Sequence, residues 1–76
     1  MRLHLGGHLS WYDPLKRDWL DIELGEAETL AELLPRLAIP KGEVAVVAIN
    51  GKAARPDDVP VRDSDVVELY PPLGGG

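Results

Sequence analysis

The stretch LDIELGEAETLAELLPRL, residues 20–37, contains a change of hydrophobic period that decides the fold class. Leu20, Ile22 and Leu24 alternate with Asp21 and Glu23, the period of a strand with one wet face. Beyond Gly25 the spacing changes, and Leu30, Leu33, Leu34 and Leu37 fall on one face of a helix. Thr29 and Glu32 form a capping-box pair: the hydroxyl accepts the backbone N–H three residues on, and the carboxylate reaches back. Glu26 and Glu28 add negative charge near the positive end of the helix dipole. Pro35 opposes this pattern, because a proline inside a helix deletes a backbone bond and costs about 3 kcal/mol. A short or kinked helix ending before Pro40 is therefore expected.

Upstream, Leu3, Leu5 and Leu9 alternate with Arg2, His4 and His8, predicting a first strand with a bulge or frayed end at Gly6-Gly7. Ser10 to Asp18 reads as the connection of an antiparallel hairpin. Downstream, Val44 to Ile49 is apolar at every position, as in a strand covered on both faces or central in a sheet. Asn50-Gly51 is a two-residue hairpin turn, since both residues accept positive φ, and the chain returns through Lys52 to Arg55. Pro56-Asp57-Asp58 reads as a loop, with Val59 and Val61 flanking Pro60 beyond it. Asp63-Ser64-Asp65 turns the chain into a last strand, Val66 to Tyr70, which Pro71-Pro72 ends. The order strand, strand, helix, strand, short strand, strand predicts an α+β domain, with one main helix packed on one face of a mixed sheet.

Composition narrows the functions such a domain can have. Seventy-six residues make one small core, and a domain this size buries only about 60% of its unfolded surface. A deep, enclosed active site is not expected, although this size leaves room for a site shared with a partner. With no cysteine there is no internal thiol to act as nucleophile or sulfur relay. The net charge of −5 argues against nucleic acid, whose phosphates need clustered Lys and Arg; it suits a basic partner surface, or simply solubility. No stretch approaches the roughly 20 apolar residues of a membrane span, and the N-terminus lacks a signal-peptide core, so a cytoplasmic location is the default expectation.

Other candidate sites carry less. His4 and His8, four apart on a strand, would share a face but sit too far apart to chelate one metal; both read as solvent-face residues. Asp57-Asp58 and Asp63-Ser64-Asp65 do not follow the twelve-residue calcium loop. Gly6-Gly7 lacks the Lys and Ser/Thr of a phosphate loop, and neither Ser10 nor Ser64 supports a Ser-His-Asp set. Trp11, Tyr12 and Trp19 read as packing residues, with a partner anchor as the alternative.

The C-terminal stretch Leu69-Tyr70-Pro71-Pro72-Leu73-Gly74-Gly75-Gly76 is the most specific feature. Three terminal glycines alone would read as an unstructured end; the aromatic-Pro-Pro-apolar lead-in makes them a motif. It resembles the tail of the ubiquitin-like sulfur carriers, the small subunit of molybdopterin synthase and the thiamine type among them. The capped helix after Gly25, the Ala48-Ile49-Asn50-Gly51 turn and Asp65-Val66 fall in the order of that family, so the resemblance covers essentially the whole chain. Ser64, where the family commonly has Gly, Pro35 within the helix and the third glycine, Gly74, depart from it.

The resemblance implies a β-grasp (ubiquitin-like) fold, its first and last strands adjacent and parallel at the centre. It implies a domain over residues 1–73 with a flexible glycine tail, 74–76. Gly76 would be adenylated by an adenylyltransferase of the ubiquitin-activating-enzyme-like family, which uses ATP; the carrier itself would bind no cofactor. The resulting thiocarboxylate would pass sulfur to a synthase subunit, molybdopterin-type on the Pro-Pro lead-in. Tyr70, Pro71, Pro72, Leu73, Gly74 and Gly75 would be the partner-binding residues. Thiamine or tRNA-thiolation carriers and a protein modifier would use the same tail, and a non-catalytic interaction domain would not need it. Glycines suit the task because they leave a narrow channel unobstructed, and proline lowers the entropy lost when the tail docks.

Overall fold

The computed structural model describes residues 1–55 and 60–72, and the expected hairpin opens the chain. Strand β1 (Arg2–Leu5) pairs antiparallel with β2 (Trp19–Asp21), placing Leu3 opposite Leu20. A short strand β3 (Glu28–Thr29) runs into helix α1 (Leu30–Arg36). Strands β4 (Val46–Ile49) and β5 (Lys52–Ala54) form the second hairpin, and β6 (Pro60–Val61) and β7 (Val66–Tyr70) follow. The main sheet has the order β2-β1-β7-β4-β5, with β1 and β7 parallel and the other pairs antiparallel. The last strand is thus the central one, as the family resemblance implied.

Alternation along β7 shows how the sheet is covered. Val67 and Leu69 are fully buried, while Val66, Glu68 and Tyr70 are half-buried. Val67 and Leu69 join Leu3, Leu5, Leu20 and Val47 from neighbouring strands and Leu30, Leu33 and Leu34 from α1 in one core. The helix covers one face of the sheet and leaves the other open.

Both ends of α1 follow from local chemistry. Thr29 Oγ1 accepts the Glu32 N–H at 3.3 Å, and Glu32 Oε1 accepts the Thr29 N–H at 3.0 Å, closing the expected capping box. Pro35 sits in the last turn, and the carbonyl it leaves without a helical donor belongs to the exposed Ala31. At the C-terminus the Ile39 N–H donates to Leu34 O and the Ala38 N–H to Pro35 O, both at 3.1 Å, with Ile39 and Leu34 buried together. This cap places Ala38 at a φ of 58°, a conformation that glycine adopts without strain. The left-handed penalty of roughly 1–2 kcal/mol exceeds the roughly 0.4–1 kcal/mol by which glycine favours the unfolded chain. Ala38→Gly should therefore stabilise the domain by about 0.5–1 kcal/mol, read as a raised urea midpoint at constant m.

Three expectations are corrected. Gly6-Gly7 does not bulge a continuing strand: β1 ends at Leu5, and a 3-10 turn, Gly7–Tyr12, follows. Leu9 is fully buried because that turn folds it inward, its N–H on Gly6 O at 3.0 Å. His8 therefore leaves the His4 face, and its Nε2 pairs with Glu43 Oε2 at 2.9 Å. Second, β4 is interior to the sheet, as one of its two readings had it, but it is not covered on both faces: Val47 is fully buried and Val46 47% exposed. Third, β3 and β6 form an unexpected ladder, Glu28 opposite Val61 and Thr29 opposite Pro60, too short for any period to reveal. The Asn50-Gly51 turn is as read, with φ of 52° and 83°. Asn50 also accepts the Val66 N–H at 2.9 Å and donates to Asp65 at 3.0 Å, tying the turn to the start of β7. The predicted loop Pro56-Asp57-Asp58 and Val59 lie outside the described residues.

Candidate functional site: the base of the C-terminal tail

Strand β7 carries the C-terminal lead-in to the end of the central strand, where both sides hold it. On one side the Gly6 N–H donates to Leu69 O at 2.8 Å; on the other, the Ala45 N–H donates to Tyr70 O at 2.9 Å. Pro71 is half-buried and Pro72 exposed. Of the predicted site residues, Tyr70, Pro71 and Pro72 are thus brought together at one sheet end. Leu73, Gly74, Gly75 and Gly76 lie outside the described residues.

Tyr70 belongs to an aromatic strip across the open face. Its ring centroid lies 5.7 Å from that of His4 on β1, and His4 lies 4.8 Å from Trp19 on β2. The Arg2 guanidinium sits 4.7 Å from the centroid of a Trp19 ring, a cation–π contact. Val46 lies opposite Tyr70 on the other neighbouring strand. The Tyr70 hydroxyl donates to Glu68 Oε2, and this bond, then desolvation, raises the phenol pKa above its ordinary value. His4 is half-buried, and its Nδ1 has no hydrogen-bond partner among the described residues. It is therefore more enclosed than the solvent-face reading expected.

The three aromatics of the first hairpin divide. Tyr12 packs on the core, Trp19 joins the strip at 41% exposure, and Trp11 is 71% exposed. The connection that holds Trp11 is organised by Asp13, which the sequence did not single out. Its Oδ2 accepts the Leu15 and Arg17 N–H groups at 3.1 and 3.0 Å, and its two oxygens accept Arg17 Nε and Nη2, both at 3.0 Å. The Arg17 hydrogen bond, ahead of the other contacts, lowers the Asp13 pKa from 3.8 to about 2. A carboxylate lowered in the folded state contributes stability above its unfolded pKa, and that contribution is lost as pH falls through the folded value. Wild type should therefore lose more stability than Asp13→Asn between about pH 4 and about pH 2, as urea midpoints would show. Glu32, Asp63 and Asp65 are lowered by their own hydrogen bonds and act in the same direction in both proteins.

Among the described residues no group of three His, Cys, Asp or Glu could hold a metal ion. No helix of the described residues is long and apolar enough to cross a membrane. The arrangement presents a strand end flanked by aromatic and apolar surface.

A central parallel β1–β7 pair, a capped helix across one face and a central strand running out into Pro-Pro define a ubiquitin-like domain of the β-grasp fold. The ThiS family model matches residues 14–76, and the chain belongs to that family. A thiamine biosynthesis protein (ThiS) from Geobacter metallireducens is 26% identical, covers 100% of both chains and superposes with a TM-score of 0.58. A chain in the solved complex of subunits 1 and 2 of molybdopterin-converting factor from Helicobacter pylori 26695 is also 26% identical. That match covers 99% of this chain and 96% of the other, again with a TM-score of 0.58. No curated protein matches the chain.

Proposed function

We propose that this chain carries sulfur as a thiocarboxylate on Gly76, with residues 1–73 as the body that presents a glycine arm, 74–76. The observation that carries the reading is the central strand ending in Tyr70-Pro71-Pro72 in a chain that belongs to the ThiS family. A Gly76 carboxylate oxygen attacks the α-phosphate of ATP on an adenylyltransferase of the ubiquitin-activating-enzyme-like family, forming an acyl adenylate and releasing pyrophosphate. A hydrosulfide-type nucleophile then attacks the Gly76 carbonyl carbon. The C–S bond forms, the C–O bond to AMP breaks, and AMP leaves with the electron pair. The chain supplies the acyl group and the partner supplies the catalysis. ATP binds the partner, and this chain holds no cofactor of its own.

The acceptor is a synthase subunit that builds a sulfur-containing cofactor in the cytoplasm. Pro71-Pro72 leans to the molybdopterin type, while the two solved relatives are equally similar and favour neither branch. The test is intact mass spectrometry of the native-ended protein after incubation with ATP, a sulfur donor and its activating enzyme. One oxygen-for-sulfur exchange at Gly76 is expected. An unmodified Gly76, with an enzyme active on its own carrier, rejects the reading. Gly76 joined to a lysine side chain instead identifies a modifier.

A further inference from the structure

Two glycines outside the tail motif lie directly against the base of the tail. Gly6 is buried, and a Cβ added to it would stand 2.5 Å from Tyr70 Cδ1, 2.9 Å from Cε1 and 3.0 Å from Leu69 O. Gly7 has a φ of 53°, which turns the chain out of β1, and a Cβ there would stand 2.8 Å from Pro71 Cγ and 3.3 Å from Cδ. By contrast, a Cβ on Gly25, Gly42 or Gly51 would meet nothing within 4 Å. Backbone hydrogen bonds hold the chain as far as Leu69 O and Tyr70 O. Pro71 and Pro72 have no N–H, so neither can donate a ladder bond to fix the direction beyond Tyr70. There the Tyr70 and Pro71 rings lie against two bare α-carbons.

We propose that Gly6 and Gly7 are positioning residues: they form the seat for the Tyr70 and Pro71 rings and so set the direction in which the tail leaves the sheet toward its activating partner. Side chains at either position push the rings outward and re-aim the arm. The enzymatic consequence rests on the carrier reading, whereas the seat itself is a property of the fold.

The test uses Gly6→Ala and Gly7→Asn in the full-length chain, with Gly25→Ala as the control whose Cβ meets open space. Asparagine tolerates positive φ, so Gly7→Asn adds the contact with Pro71 and little backbone strain. The first readout is amide hydrogen exchange. The N–H groups of residue 6 and Ala45, bonded to Leu69 O and Tyr70 O, should lose protection in Gly6→Ala, while the β4–β5 ladder keeps its own. The second is pyrophosphate release by the activating enzyme. Because a displacement of about 1 Å can cost about 100-fold, kcat/KM should fall about 10- to 100-fold for both seat variants and not for Gly25→Ala. Adding Pro71→Ala to Gly7→Asn removes the obstructing Cγ and Cδ and should recover part of the loss.

Wild-type kcat/KM in both seat variants overturns the proposal. So does a loss of activity in Gly6→Ala with the residue 6 and Ala45 amides still protected, which would mean direct contact with the enzyme. Loss of protection across the whole sheet in both variants assigns the glycines to folding alone and overturns it as well. If wild type itself is not adenylated, the carrier reading fails, and the exchange pattern still decides whether the seat exists.

Discussion

A chain lacking only Gly76 will fold as the full-length protein does and form no thiocarboxylate. The described core closes without the tail: its last member is Leu69, which Leu5 and Val47 flank on the neighbouring strands. Removing a terminal glycine should stay within the roughly 0.5 kcal/mol of an ordinary surface change, read as an unmoved urea midpoint. The chemistry is less tolerant. Deleting one residue moves the carboxylate back by roughly 3.3–3.6 Å, about the whole distance at which reacting atoms must be held, roughly 3–3.5 Å. Gly75 would offer the same functional group in a place the α-phosphate does not reach. Intact mass after incubation with ATP, sulfur donor and activating enzyme should show no exchange in the shortened chain and complete exchange in wild type. Exchange at the wild-type rate would take the reaction away from Gly76.

Elements governed by a single local rule are legible in the sequence. Thr29 and Glu32 announced a capping box because both partners lie within one turn of chain. Asn50-Gly51 announced its turn because few other pairs accept φ of 52° and 83°. Val66 to Tyr70 read as a strand bounded by residues that cannot continue it. The weaker readings involve residues whose roles are set by distant parts of the chain. Leu9 matched the alternation of β1 by sequence position, yet it is buried by a turn that begins where Gly7 adopts positive φ. The period continued on paper and not in space. Val46 looked like core in an unbroken apolar run, but only the pairing of β4 with β7 shows that it faces the open side.

The same distinction divides the candidate site. Tyr70, Pro71 and Pro72 could be named from the tail because they are contiguous in it. His4 and Trp19 could not, because they reach Tyr70 only through the β2-β1-β7 order. Gly6-Gly7 was the nearest miss. In the sequence it reads only as an interruption of a strand, and it lacks the residues of a phosphate loop, whereas in the fold ring atoms of Tyr70 and Pro71 stand 2.5 and 2.8 Å from where its β-carbons would be. A parallel β1–β7 pair with β1 ending one residue before Gly6 could have brought the two segments together, had that register been derivable from sequence.

Leu33→Ala should remove a large part of the domain's stability while leaving the tail's chemistry intact. Leu33 is 1% exposed in the middle of α1, a helix of 7 residues. A helix that short is not stable in water on its own, so it depends on the leucines that bind it to the sheet. Truncating a buried leucine costs about 2–5 kcal/mol, the transfer energy plus the cavity left behind. Stability of roughly 0.05–0.15 kcal/mol per residue gives a chain of this length only about 4–11 kcal/mol in total. The substitution thus removes a large fraction of it, which a urea titration should show as a lower midpoint at unchanged m. Leu15→Ala, at a residue 71% exposed, should stay within about 0.5 kcal/mol. Yet Leu33 lies on the helix side of the sheet, and Tyr70 faces the open side on the strand that the helix covers from behind. At a temperature where both proteins are folded, Leu33→Ala should therefore be adenylated with the kcat/KM of wild type once corrected for its folded fraction. A deficit that survives this correction would mean that the helix, and not the strand end alone, sets the geometry of the arm.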